Sequence, residues 1–119
     1  VVEAQMMSMR IHAQWMSVRP SAIYVTGGAS VNTDILQIMA DVQNCSVYQF
    51  AVTNSAALGA ALRAAHGYLF SSNTATTWQN IIAGFAEPIS GSEITPKNLA
   101  VYNDLVTKYA KCEQSIIGK

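Results

Sequence analysis

Long apolar runs, cysteine clusters, histidine pairs and an excess of either charge are all missing from this 119-residue sequence. No apolar run reaches the roughly 18 residues that a membrane-spanning helix needs. Arg10 and His12 interrupt the first apolar stretch, so no secretory signal is expected there. Seven basic residues balance seven acidic ones, which leaves no net field to draw the chain to nucleic acid or to an anionic membrane. The basic residues (Arg10, Arg19, Arg63, Lys97, Lys108, Lys111 and Lys119) are also scattered. Cys45 and Cys112 are far apart and in no Cys-x-x-Cys pattern. That is expected of reduced, partly buried thiols in a cytoplasmic protein rather than of a disulfide or metal pair. His12 and His66 lack a ligand-spaced partner, so no metal site is expected. Trp15 and Trp78 are isolated in the sequence, which argues against an aromatic platform for nucleic acid.

What is present is globular. Half of the residues are apolar and 12% are charged, enough to build one core in one domain. Val2, Met6, Met9, Ala13 and Met16 recur at spacings of 4, 3, 4 and 3, one face of a helix that should stop near Ser17, ahead of Arg19-Pro20. That helix is under way at residue 1 with no starting residue. A longer parent chain is therefore expected, with a processed or tagged terminus as the alternative. Residues 22–26 read as a short buried strand, ended by Gly27-Gly28. A helix follows from about Asn32 to Gln43, with Ile35, Leu36, Met39 and Val42 inward, Ser30 or Asn32 as cap, and Asp34 in its first turn.

Val47 to Phe50 reads as a second strand, and Thr53, Asn54 or Ser55 can cap a third helix through Leu58, Leu62 and Ala65, with Gly67 placed to end or bend it. This alternation implies an α/β layer with a mostly parallel sheet flanked by helices. Residues 71–77 read as a loop, 78–85 as a short helix and 87–95 as a loop. A last helix should be capped by Thr95, carry Pro96 in its first turn, bury Leu99, Tyr102, Val106, Tyr109 and Cys112 or Ile116, and close at Gly118.

The turn Thr26-Gly27-Gly28-Ala29-Ser30-Val31-Asn32 is the strongest candidate for chemistry. Two glycines remove both Cβ atoms and permit positive φ, so a ligand can approach the backbone closely. Free N–H groups of the following helix suit phosphate or a polar base edge, and Asn32 can both donate and accept. The plainer alternative is a tight strand–helix turn in which Ser30 or Asn32 only caps. The turn is neither a Walker A loop nor the G-x-G-x-x-G fingerprint. The small-residue run from Ser55 to Ala61 should let another backbone pack closely, either the sheet or the glycine turn. Asp34 and Asp41 lie seven apart on one helix and read as a capping charge and a structural carboxylate rather than a catalytic pair. No serine–histidine–aspartate or cysteine–histidine arrangement can be picked out.

Four blocks in this order and spacing resemble the C-terminal domain of the FGGY carbohydrate kinases. They are Ile23 to Ser30 with Asn32, Ile35 to Val42, Val47, and Ser55 to Ala61. The late segments Val101 to Asp104 and Tyr109 to Gln114 are similar to the C-terminal helix of the family's eukaryotic, xylulose-phosphorylating branch. The likeness is weakest over residues 71–97. It implies an RNase H-like, actin-like ATPase fold, of which residues 1–119 are part of the nucleotide-side, C-terminal domain of a two-domain sugar kinase. It implies ATP and Mg2+ in a cleft, the metal held mainly outside this chain, and transfer of a phosphoryl group to a sugar held by the N-terminal domain. Gly27, Gly28 and Ala29 would lie against the adenosine through their backbone, and Asn32 would hydrogen-bond it. The catalytic base would be an aspartate outside these residues, so the chain alone is expected to be inactive. Gluconate, ribulose or glycerol as substrate, or a non-catalytic interaction domain of the same fold, are the alternatives.

Overall fold

The computed structural model describes residues 1–52, 54–72, 76–85 and 87–118. The elements run α1 (Val2–His12), β1 (Ala22–Val25), α2 (Thr33–Gln43), β2 (Ser46–Gln49), α3 (Ser55–Ser71), α4 (Trp78–Ile82) and α5 (Leu99–Ile117). Short 3-10 turns at Gln14–Met16 and Gly28–Val31 follow α1 and β1.

β1 and β2 pair in parallel, from Ala22 opposite Ser46 to Val25 opposite Gln49. The strand–helix–strand order dictates this, because a crossover helix returns the chain to the same end of the sheet. α2 covers one face of the pair. Leu36, Ala40 and Val47 are fully buried there, with Ile23, Val25, Met39 and Ile94 around them. Behind α2 lie α1 and α5, which meet it in a second cluster of Met6, Met7, Val42, Tyr102 and Val106. Burying a side chain of the Leu or Val size stabilises by about 1.5–3 kcal/mol, so these two clusters hold the fold.

Long polar contacts fix how the three helices meet. Arg10 donates to the Val42 carbonyl at 2.6 Å and to Asn103 at 2.9 Å. Tyr102 donates to Glu3 at 2.6 Å, and His12 pairs with Glu113 at 2.9 Å. Asp41 is 2% exposed. It accepts from the Lys97 and Asn98 amides at 2.5 and 3.2 Å, from the Asn98 side chain at 2.9 Å and from Gln37 at 3.0 Å. Burial pushes its carboxyl up, but those four donors outweigh burial and hold it below the ordinary carboxylate value. Asp41 is thus a structural carboxylate that pins the entry to α5, while Asp34 is exposed.

Several expectations shift. The inward arc of α1 is Met6 and Met7 with Val2 and Ile11, whereas Met9 is 56% and Met16 49% exposed. α1 ends at His12 in a 3-10 turn, so positions beyond it leave the helical period. β1 stops before Thr26, and β2 starts one residue early. Asn32, not Ser30, caps α2. Asn54 caps α3 by accepting from the Ala57 amide at 3.2 Å, and Thr53 lies outside the described residues, as does the middle of the 71–77 loop. Gly67 neither ends nor caps α3, which continues to Ser71.

α4 is shorter than residues 78–85, because Ala83 leaves the helical region at ψ 128° and Gly84 follows with φ +78°. α5 begins at Leu99 with Asn98 as its cap residue, so Thr95 and Pro96 belong to the preceding segment. Its stripe is Tyr102, Leu105, Val106 and Tyr109, while Cys112 and Ile116 are exposed. Residues 87–95 do more than connect. Val47 and Ile94 exchange backbone bonds of 2.9 Å in an antiparallel bridge, and Phe50 bridges Pro88.

Candidate functional site

The glycine turn leaves the C-terminal end of β1, and β2 ends beside it. In open α/β sheets that end of the strands is where ligands bind. Gly27 has φ +93° and ψ −177°, a region essentially reserved for glycine. Gly28 sits in the 3-10 turn and does not share the positive φ. The two glycines therefore have different duties: Gly27 makes the corner, and Gly28 keeps the outside bare. A Cβ built on either would meet nothing within 4 Å. Among the described residues, the side of the backbone where a Cβ would stand is open.

The donors differ from the expectation. Asn32 Oδ1 accepts from the Asp34 and Ile35 amides at 3.0 and 3.1 Å, so the first turn of α2 is already satisfied. Among the described residues, the Gly28 and Ala29 amides have no hydrogen-bond partner. They, rather than the start of α2, are the donors the turn can offer. The Asn32 side-chain amide also makes no hydrogen bond among the described residues, so Asn32 caps through its oxygen and keeps its donor.

Ser30 is buried and closes the turn on itself. Its hydroxyl donates to the Gly27 carbonyl at 2.6 Å and its amide to the same carbonyl at 3.1 Å. Gln49, at the end of β2, donates from its side chain to the Ser30 carbonyl. Thr26 donates to the Val52 carbonyl at 2.9 Å. Sequence reading missed Gln49, since its partner lies 19 positions away and only the parallel register brings the two together.

A small apolar cavity of about 170 Å³ opens next to the turn, lined by Thr26, Phe50, Val52, Ser55, Leu58, Gly59, Leu62 and Phe85. A larger one, about 580 Å³, lies at the opposite end of the strands among Arg10, Ser17, Arg19, Gln43 and Asn44, away from the glycine turn. The small-residue run of α3 borders the cavity beside the turn, through Ser55, Leu58 and Gly59, without packing tightly on the sheet or the turn. α3 buries no residue, and a Cβ on Gly59 would meet nothing within 4 Å. Trp78 is not isolated: its ring stacks on His66 at 4.2 Å with 1° between planes, and Arg63 lies 5.9 Å from its centroid. Both cysteines are free, Cys45 buried and Cys112 exposed.

Comparison with known proteins decides the relationship. The model of the FGGY family of carbohydrate kinases, C-terminal domain, matches residues 1–68, more than half of the chain and the whole of the turn. The chain belongs to the FGGY family of carbohydrate kinases. Xylulose kinase of Rattus norvegicus is 38% identical over 122 residues, covering 100% of this chain and 22% of its own length. Xylulose kinase of Mus musculus is 36% identical over 121 residues, 99% of this chain and 22% of its own. Xylulose kinase 2 of Arabidopsis thaliana is 45% identical over 71 residues, 58% of this chain and 13% of its own. The chain thus spans about a fifth of the rat and mouse relatives. Within the FGGY frame, the matched residues contain the glycine turn, both strands and most of α3.

Proposed function

We propose that these residues form the adenosine side of the ATP cleft in a sugar kinase. In its full-length form the enzyme transfers a phosphoryl group to D-xylulose, giving xylulose 5-phosphate, on an RNase H-like, actin-like ATPase fold. The observation that carries this reading is the bare turn at Gly27-Gly28, at the C-terminal end of parallel strands, with two amides that have no hydrogen-bond partner among the described residues. The names of the rat, mouse and Arabidopsis relatives, xylulose kinases, support the sugar. Gly27, Gly28 and Ala29 would contact the nucleotide through backbone alone, and the free amide of Asn32 would donate to its adenosine part.

Phosphoryl transfer depends on positioning and on charge stabilisation. This chain would supply positioning. The γ-phosphate, the sugar hydroxyl and the aspartate base that accepts its proton would lie across the cleft, in the N-terminal part of the enzyme. Mg2+ neutralises phosphate charge when bound. Its ligands would lie mainly outside this chain. The reading includes a cytoplasmic enzyme.

Titration of the full-length protein with ADP tests the site. Gly28→Val keeps an allowed backbone but fills the bare surface, so at least a tenfold loss of affinity is expected. An unchanged affinity rejects the role given to the turn, and no ADP binding by the wild type favours a non-catalytic domain. A coupled assay on xylulose, ribulose, gluconate and glycerol tests the sugar, and fastest turnover of anything but xylulose reassigns it.

A further inference from the structure

We propose that Gln49 is a positioning residue for the nucleotide, acting through the glycine turn rather than by touching the ligand. The inference rests on the adenosine role given to that turn above. Gln49 is the last residue of β2, opposite Val25 in the parallel register. Its main chain is gripped from one side: Ile89 donates to its carbonyl at 2.8 Å, and its own amide donates to the Ser92 hydroxyl at 3.1 Å. Its side chain reaches the other way and donates to the Ser30 carbonyl. Ser30 in turn holds the Gly27 carbonyl through its hydroxyl at 2.6 Å. A chain of hydrogen bonds therefore runs from the loop after α4, through Gln49 and Ser30, to the corner at Gly27.

The turn needs such a hold. Gly27 is in a glycine-only conformation, and glycine has more backbone freedom to lose than any other residue. Among the described residues, a Cβ built on Gly27 or Gly28 would meet nothing within 4 Å. With no side chains to restrain it from outside, the turn is restrained from inside, by Ser30 and by Gln49. Releasing the Ser30 carbonyl lets the 3-10 turn reorient the Gly28 and Ala29 amides. A binder that must order its loop on contact binds more weakly, since ordering opposes association.

Gln49→Met in the full-length enzyme keeps length and loses the donor. Gln49→Glu keeps shape and sets a carboxylate against the Ser30 carbonyl. Titration with ADP should show affinity about five- to tenfold weaker in both, the size of one lost hydrogen bond. KM for ATP should rise by a similar factor, while KM for the accepted sugar stays within twofold. A merely structural residue would move sugar, nucleotide and thermal midpoint together. Ser30→Ala should act on the same chain, so its effect and that of Gln49→Met should combine to less than their product. Wild-type ADP affinity retained by both Gln49 variants overturns the inference and leaves the adenosine reading standing. Absence of ADP binding by the wild type overturns both. If either variant fails to fold, the other and the Ser30→Ala pair still decide.

Discussion

Single residues in the turn separate shape from contact. Gly27 alone in the turn has the backbone that a side chain resists, so Gly27→Ala should cost about 1–3 kcal/mol of local stability, measured as faster hydrogen exchange of the bonded Ser30 and Asn32 amides. Gly28→Val should leave that exchange unchanged and weaken only nucleotide binding. Asn32 permits the same separation. Asn32→Asp keeps an oxygen for the Asp34 and Ile35 amides and removes the side-chain donor. It should leave α2 intact and weaken ADP binding several-fold, whereas Asn32→Ala loses the cap and costs about 1 kcal/mol as well. Equal ADP affinity for Asn32→Asp and wild type would make Asn32 a cap and nothing more. From the sequence both roles of Asn32 were open, because one side chain has an acceptor for the helix and a donor for a ligand.

At the level of elements, the helix–strand order was legible and the faces were less so. Residues 22–25 and 46–49 are rich in β-branched and aromatic types and stand between turn formers, so local pattern sufficed for the strands. α1 shows the limit. Its Met9 and Met16 fit a helical stripe, yet two partner helices, α2 and α5, fix which arc is buried. The bridges of residues 88 and 94 were illegible too, since they depend on the edge of β2 and not on local propensity.

Asp41 and Tyr102 carry the testable energetics of the packed helices. Asp41→Ala would leave the Lys97 and Asn98 amides without their acceptor and should cost about 3 kcal/mol, read as faster exchange at the start of α5. Its folded carboxyl lies below the unfolded value of 3.8. The stabilisation it gives is therefore present above that pH and is lost as pH falls through the lower, folded value. For Tyr102 the sign reverses. The hydrogen bond to Glu3, then burial, then the charges of Glu3 and Asp41 push its hydroxyl from 10.0 up to about 12. The folded state holds that proton more tightly, so the stabilisation is complete below pH 10.0 and is lost as pH rises towards about 12. Tyr102→Phe should lessen the fall in stability across that window, measured by exchange in α1 and α5 beside the wild type.

The whole molecule is less compact than its length allows. Its radius of gyration is 17.9 Å, with extents of 55 × 36 × 22 Å. A closed domain of this size would have a radius of about 13–14 Å. The least packed of the long helices is α3. That helix is 17 residues long, buries none of them and contacts chiefly α4. The second face of the sheet is also open: Tyr24 is 53% exposed, and among the described residues its ring stacks on Tyr48 and Phe50, at 5.4 and 5.2 Å. Stability is therefore divided. The helix layer of α1, α2 and α5 with β2 holds most of the buried side chains, whereas α3 is held by its own backbone bonds, by half-buried Leu58 and Leu62 beside the small cavity and by the stacking of His66 on Trp78. Most helical stability in proteins comes from packing an apolar face, and α3 buries none of its residues fully. In the 119-residue chain alone, α3 amides should exchange within seconds to minutes while α2 and β2 remain protected. In the full-length enzyme α3 should be protected as well, because the apolar Leu58, Leu62, Tyr68 and Phe70 would then be covered. Equal protection of α3 in both would mean that these residues already form a closed unit. The same comparison bears on activity. With the proposed base and sugar site in another part of the enzyme, the 119-residue chain should show no sugar-dependent ATP turnover, and measurable turnover would place the chemistry inside it.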